Sequence, residues 1–445
     1  MDTTMRTDPL RILLGGLLLA ACSGDDAPVA PPDTTPLDVE AVVSPTMPTV
    51  VTVRWRTADP SVGYVTFGEG ALDRYTLETP EGTEHEAKLV ALAPLTDISY
   101  QVVSGEELSD EAIVTTGDLP VPAPEIVVSG EGQDRFTVLT LLDDYAHPVV
   151  IDPQGRIVWV HDDTRPGQVF RARLSVDGSG LVYSSTLEAG LPSDDSVLVR
   201  VSWEGEETQV LNVPKLSHDF AELPDGTLVT LASDWRGGVE GNKLVAVSPD
   251  GTTSDLWSAF DCLDPATHPS RDPTRDDWTH TNALDYLPEE DAFIVGMRNL
   301  NTLVYVERAT GACRWGLGGS GGDVAVSGGS FIHQHQFHRF DDRLLVFDND
   351  GAVGSVSRVL EFSFDEAAKT ATVIGEFRTD PPVYSFILGD AYRHPNGDTQ
   401  ITWATAGLID RLRPDGTRRW RAELPGYVLS FSETYVDPGR PGSLE

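Results

Sequence analysis

The stretch Ser217-His218-Asp219-Phe220-Ala221-Glu222-Leu223-Pro224-Asp225-Gly226-Thr227-Leu228-Val229-Thr230-Leu231-Ala232 decides the fold class. Two short runs of β-forming residues flank a Pro-Asp-Gly turn, and an Asp-Gly pair accepts the positive φ that a tight hairpin needs. The next residues repeat the device, with strands expected over 243–248 and 252–257 around Pro249-Asp250-Gly251. The spacing predicts a four-stranded antiparallel meander.

The same plan recurs along the chain. It starts again at Phe170, with turns at Asp177-Gly178 and Glu204-Gly205, and at His280, with turns at Glu289-Glu290 and Thr310-Gly311. It recurs at His335, with turns at Asp341-Asp342 and Asp365-Glu366, and near Ile387, with turns at Asn396-Gly397 and Asp415-Gly416. A sixth unit is split: strands over 136–142, 146–151 and 156–161 stand at the start and a lone strand over 427–436 at the finish. Completing one unit from both ends is how a β-propeller closes its ring, and repeats of roughly 40 to 60 residues match a blade. The expectation is an all-β chain with a six-bladed β-propeller over 131–440.

Upstream, 37–118 reads as short alternating strands between Asp, Pro and Gly turns. Within it, Leu92-Ala93-Pro94-Leu95-Thr96-Asp97-Ile98-Ser99-Tyr100-Gln101-Val102 resembles the corner of a fibronectin type III β-sandwich, with Tyr100 as the corner tyrosine. A small sandwich of that kind is expected, followed by a linker over 119–130 containing Pro120, Pro122 and Pro124.

Nearer the start, Arg6 and Arg11 precede an apolar run over 12–21, and Leu19-Ala20-Ala21-Cys22 has the small-residue pattern of a lipoprotein cleavage site. The reading is a signal peptide over 1–22, lipidation at Cys22 and a Pro-rich tether over 23–36. Ser23 is no inner-membrane retention signal. The expected location is the periplasmic or cell-surface side of a bacterial membrane, the outer one, reached only through the lipid anchor.

Seventy acidic residues against 32 basic ones give a net charge of −38, which argues against nucleic acid or an anionic membrane surface as partner. Once Cys22 is set aside, Cys262 and Cys313 remain; in an exported chain they are a possible disulfide, and their spacing offers no metal motif.

In a propeller the first strands of the blades converge on one mouth of the central channel. Aligning the units on their Leu-Pro turns places His218, Asn282 and His335 at corresponding positions, with His280 two residues ahead of Asn282. Residues i and i+2 share one side of a strand, so His280 joins Asn282 and His333 joins His335, while His338 points the other way. The second strand of the His280 unit returns to the same mouth and delivers Arg298. His85, His147, His161, His268 and His394 have no such register and read as structural, and Asp348 and Asp350 read as turn formers.

Three converging histidines would suit a metal-dependent hydrolase or lyase. A non-catalytic, lipid-anchored binding propeller would also fit. Arg298, however, opposes a cation. Arginine, asparagine and neutral imidazoles together suit a tetrahedral oxyanion, the guanidinium and amide as donors and an imidazole nitrogen as nucleophile. No cofactor is expected.

These residues resemble the bacterial arylsulfate sulfotransferases. The resemblance is carried by Asp277-Trp278-Thr279-His280-Thr281-Asn282-Ala283 with Met297-Arg298-Asn299-Leu300-Asn301, by Gln334-His335 with Phe347-Asp348-Asn349, and by His218 ahead of its turn. It implies transfer of a sulfuryl group from a phenolic sulfate ester to a phenol acceptor, without a nucleotide sulfate donor, in a ping-pong reaction through a sulfated histidine. Carried onto this chain, it makes His335 the nucleophile and gives His218, His280 and Arg298 catalytic roles, with Asn282 and His333 at the substrate. Ile332-His333-Gln334-His335 holds two candidate nucleophiles; His335 is the one that follows glutamine and sits in register.

Overall fold

The computed structural model describes residues 37–142, 147–165, 167–186, 193–272, 276–351 and 355–440. The signal peptide, Cys22 and the tether lie outside these residues. The described chain is all-β: antiparallel sheets with three single-turn 3-10 helices.

The first sheets to form along the chain face each other. Asp38–Val43, Val51–Ser61 and Gly82–Leu89 make one, and Gly63–Gly68, Arg74–Tyr75, Asp97–Ser104, Glu107–Leu108 and Ala112–Thr115 the other. Alternation along Val51–Ser61 sends Val51, Val53 and Trp55 inward, where they pack with Val65, Phe67, Tyr100 and Val102. Trp55 stacks on His85 at 5.0 Å, so that histidine serves the core.

Six further sheets follow. The second holds Gln168–Leu174, Gly180–Thr186, Val197–Ser202 and Glu207–Asn212. The third holds Leu216–Glu222, Leu228–Arg236, Val239–Val247 and Thr253–Ser258, and the fourth Thr281–Leu287, Ala292–Met297, Thr302–Glu307 and Cys313–Leu317. The fifth runs Phe337–Phe340, Arg343–Asp348, Arg358–Asp365 and Thr370–Phe377, and adds Ala325–Ser327 in parallel at its outer edge. The sixth runs Asp390–Arg393, Thr399–Trp403, Leu408–Leu412 and Arg418–Glu423.

The first of the six is completed from both ends of the chain. Phe136–Leu142, His147–Ile151 and Ile157–Val160 are joined at the inner edge by Val428–Leu429 and Glu433–Tyr435. A second exchange differs from expectation: Val127–Gly130, inside the stretch read as linker 119–130, pairs with Arg418–Glu423 as the outermost strand of the sixth sheet. Leu119, Val121, Ala123 and Ile126 pack on the apolar seam between the sixth and first sheets. The prolines withhold donors, and apolar side chains still bind the segment down.

Every pair of successive sheets shares an apolar seam, and the last closes on the first. Phe220, Leu198 and Leu228 fill the seam between second and third sheets, Leu284, Phe293 and Leu231 that between third and fourth, and Phe347, Trp403 and Ile401 that between fifth and sixth. Cys262 and Cys313 are joined in a disulfide that ties the third sheet's exit to the edge of the fourth. The sandwich is fastened to the first sheet by Arg74, which meets Asp437 at 2.9 Å, and by Glu69, which meets Arg156 at 2.5 Å.

Candidate active site

The inner strands lose their regular pairing where the predicted residues lie. In the third sheet pairing stops after Ser217 and resumes at Phe220, so His218 and Asp219 form a bulge; in the fourth Asn282 bulges between Thr281 and Ala283. His218, His280 and His333 all have left-handed backbone, at φ +46°, +42° and +52°. Each such conformation costs a residue with a β-carbon about 1–3 kcal/mol, and it persists where surroundings enforce it.

The bulges bring His218 and His280 edge to face, with ring centroids 5.0 Å apart. Nδ1 of His218 lies 2.7 Å from the Ser217 hydroxyl, and the Phe170 and His218 ring centroids lie 5.5 Å apart. Burial, then His280 and Arg298, push the His218 imidazole down to about 3 against the pull of Asp277, so the ring is neutral. His280 is held by a carboxylate: its Nδ1 donates to Asp277 at 2.5 Å and its backbone N–H to the same side chain at 2.9 Å. The bond to His280 helps hold the Asp277 carboxyl below the ordinary range despite the opposing effect of burial.

His335 is 2 % exposed. Its Nδ1 lies 2.8 Å from Oδ1 of Asn349, whose amide nitrogen donates to the carbonyls of Ser385 at 2.7 Å and Leu388 at 2.9 Å. Both amide hydrogens are therefore committed, and only the carbonyl oxygen of Asn349 can face the ring. His335 must carry its proton on Nδ1, which leaves the lone pair on Nε2. Burial, with Arg298, His218 and His280 adding to it, holds the imidazole well below its ordinary value. Phe431 lies 6.3 Å away.

Arg298 opens a single-turn 3-10 helix and is aligned by its own backbone, whose N–H donates to the His280 carbonyl at 3.1 Å. Its Nη1 donates to Asn299 at 2.8 Å, and Asn299 returns a bond of 2.7 Å to the Asp277 carbonyl. The Arg298 charge acts on His218, His333 and His335 alike, lowering each. The fold thus brings His218, His280, Arg298, His333 and His335 into one electrostatic neighbourhood.

Asn282 occupies a different place from that expected. The bulge breaks the i, i+2 parity that paired it with His280, and the residue is fully buried. Its amide donates to the Gln334 carbonyl at 3.0 Å, which braces the residue preceding His335, and its Oδ1 is without a partner. His333 is half-buried, its backbone N–H fixed by Asn301 at 2.9 Å. His338 turns away, stacked on Tyr392 at 4.1 Å. Asp277 and Asn349 stand in the quoted motifs without an assigned role; their value lies in contacts that sequence spacing does not display. Among the described residues no group of three or more His, Cys, Asp or Glu is disposed to hold a metal ion.

Similar solved structures include a protein of unknown function from Bacteroides caccae, 10% identical with TM-score 0.46, covering 67% of this chain and 98% of that one. Others are an auxiliary nutrient binding protein from Bacteroides thetaiotaomicron (11% identical, TM-score 0.38, 89% and 90% covered) and a virginiamycin B lyase from Staphylococcus aureus (12%, 0.39, 66% and 88%). No curated protein matches the sequence. The arylsulfotransferase (ASST) family model matches residues 125–422. That span contains every histidine of the site together with Arg298, Asp277 and Asn349, and the chain belongs to the arylsulfotransferase family of sulfotransferase enzymes.

Proposed function

We propose that the protein moves a sulfuryl group from a phenolic sulfate ester to a phenol in two half-reactions, through a sulfated His335, and that its six closing sheets are the blades of a β-propeller behind a fibronectin type III-like sandwich. The observation that carries the reading is the Asn349 lock on His335, which presents an unprotonated Nε2 within the field of the Arg298 guanidinium.

In the first half-reaction the Nε2 lone pair of His335 attacks sulfur in line. The N–S bond forms as the S–O(aryl) bond breaks, and the aryl oxygen leaves with the bonding pair, taking a proton from Nε2 of His280. Asp277 keeps the other proton on Nδ1 and offsets the charge of the protonated ring. Arg298 and the neutral imidazoles of His218 and His333 meet the sulfuryl oxygens, where donors aimed at developing charge contribute most. In the second half-reaction His280 takes the proton of the incoming phenol, whose oxygen attacks sulfur; the S–N bond breaks and its pair returns to Nε2. One sulfate ester and one phenol are consumed, and one of each is made.

The test is the mass of the intact protein after exposure to a chromogenic aryl sulfate without acceptor. A gain of one sulfuryl group, mapped to the His335 peptide and discharged by added phenol, is expected. The His335→Ala variant should show neither gain nor turnover. Steady release of donor phenol without acceptor would instead make the protein a hydrolase. We also propose export and lipid attachment at Cys22, with 23–36 as tether; an unmodified N-terminal peptide in membrane-extracted protein would refute this.

A further inference from the structure

Asp219 follows His218 and is fully buried. Its carboxylate is reached from several inner strands. Oδ2 accepts the backbone N–H of Leu284 at 2.9 Å, from the strand that carries Asn282, and the side-chain amide of Gln336, next after His335, at 2.5 Å. Oδ1 accepts from Phe220 at 2.8 Å and from the Arg173 guanidinium at 3.4 Å, and Arg171 Nε stands 3.6 Å away. Arg171 and Arg173, on the inner strand of the second sheet, both reach Glu433 of the first sheet at 2.5 Å. Arg171 also meets Asp390 of the sixth sheet at 3.4 Å. One connected set of charges touches the innermost segment of all six sheets.

The transfer chemistry uses none of these groups, yet they join the elements that bear it. Neighbouring inner strands of different sheets exchange no backbone ladder, and apolar seams resist separation better than they resist sliding. In-line attack is sensitive to displacements of an ångström or less. His218 and His335 stand on different sheets, and a polar path between their backbones runs through Asp219 and Gln336.

We propose that Asp219 is a positioning residue for sulfuryl transfer, setting His335 against His218 and Arg298 through its bond to Gln336. The proposal rests on the transfer reading above, and its test separates the two. Full-length Gln336→Met, which removes one hydrogen bond and leaves every ion pair, is compared with wild type and with Asp219→Asn. In protein labelled with 15N at histidine, the wild-type His335 ring should show a single Nδ1–H tautomer. In Gln336→Met the ring should keep its Nδ1–H, since Asn349 is untouched, but its signal should shift and broaden as the ring loses its fixed place, while the melting temperature changes little. kcat should fall by at least about tenfold with the donor KM within about threefold. Asp219→Asn should do the same or more; should it fail to fold, Gln336→Met decides alone. An unchanged His335 signal in folded Gln336→Met would overturn the proposal. A wild-type protein without transferase activity would sink the transfer reading, and the ring signal would still decide whether Asp219 positions His335.

Discussion

Asp277 holds His280 at two points, through the backbone N–H at 2.9 Å and ring Nδ1 at 2.5 Å. The acid is itself braced by the long hairpin of the third sheet, where Glu240 exchanges backbone bonds with Asp276 and Trp278. A carboxylate so placed fixes the tautomer and orientation of the imidazole and compensates its charge when Nε2 gains a proton. Asp277→Asn should therefore lower kcat by about a hundredfold or more with a small change in donor KM. Steady-state rates with an aryl sulfate and a phenol measure it; a loss confined to KM would place Asp277 in binding instead.

Asn349→Leu removes the acceptor that keeps the His335 proton on Nδ1. The ring is then free to present N–H where the lone pair is needed. Sulfation of His335, followed by mass in a single turnover, should slow by about a hundredfold. An undiminished rate would mean that the tautomer is set by some other group.

The pH dependence has a definite sign. His335 is held well below its ordinary value by burial, so its lone pair survives acidification, and single-turnover sulfation should not fall as the pH is taken from 7 to 5. An acid limb near pH 6.5 would show an ordinary imidazole. Stability behaves differently. His218 and His338 are both depressed to about 3, so the unfolded chain takes up protons first; their contribution is complete above about pH 6.5 and is lost toward pH 3. Asp285 and Asp390 act oppositely, raised by burial to about 7 and about 6, and favour the fold until pH rises through those values. Thermal melts should peak at about pH 6 to 7.

The Cys262–Cys313 bond spans a sequence separation of 51, and a loop of that length restricts the unfolded chain by about 4 kcal/mol on entropic grounds. The double variant Cys262→Ser, Cys313→Ser should melt several degrees lower yet transfer at an unchanged rate at 25 °C. A loss of rate without a loss of stability would show that the bond shapes the site through the fourth sheet.

The strand plan was legible because Pro224-Asp225-Gly226 and its counterparts are local devices that dictate hairpins wherever they stand. The approach of His218, His280, His335 and Arg298 followed from that plan, since strand ends converge whatever lies between. The bulges at His218, Asp219 and Asn282 were not legible: an extra residue in a strand leaves no mark on composition, and the last of them turns the Asn282 amide onto the Gln334 carbonyl. Asp277, Asn349 and Asp219 were passed over because polar residues beside turns ordinarily cap them. Asn349 and Asp219 have partners remote in sequence, Ser385, Leu388 and Gln336, while Asp277 meets His280 only three residues on. Val127–Gly130 escaped notice for a similar reason, being exposed throughout and paired with a strand near the other end of the chain.

Both ends of the ring are closed by strands from the opposite terminus, Val127–Gly130 on the sixth sheet and Glu433–Tyr435 on the first. Read as an order of synthesis, this means that Arg171, Arg173 and Asp219 leave the ribosome long before Glu433, the residue that answers both guanidinium groups. A partly made chain possesses the imidazoles without the ion pairs that join the second sheet to the first. On the proposed mechanism, a chain cut short of Glu433 would carry His335 on a frame that lacks the carboxylate answering Arg171 and Arg173.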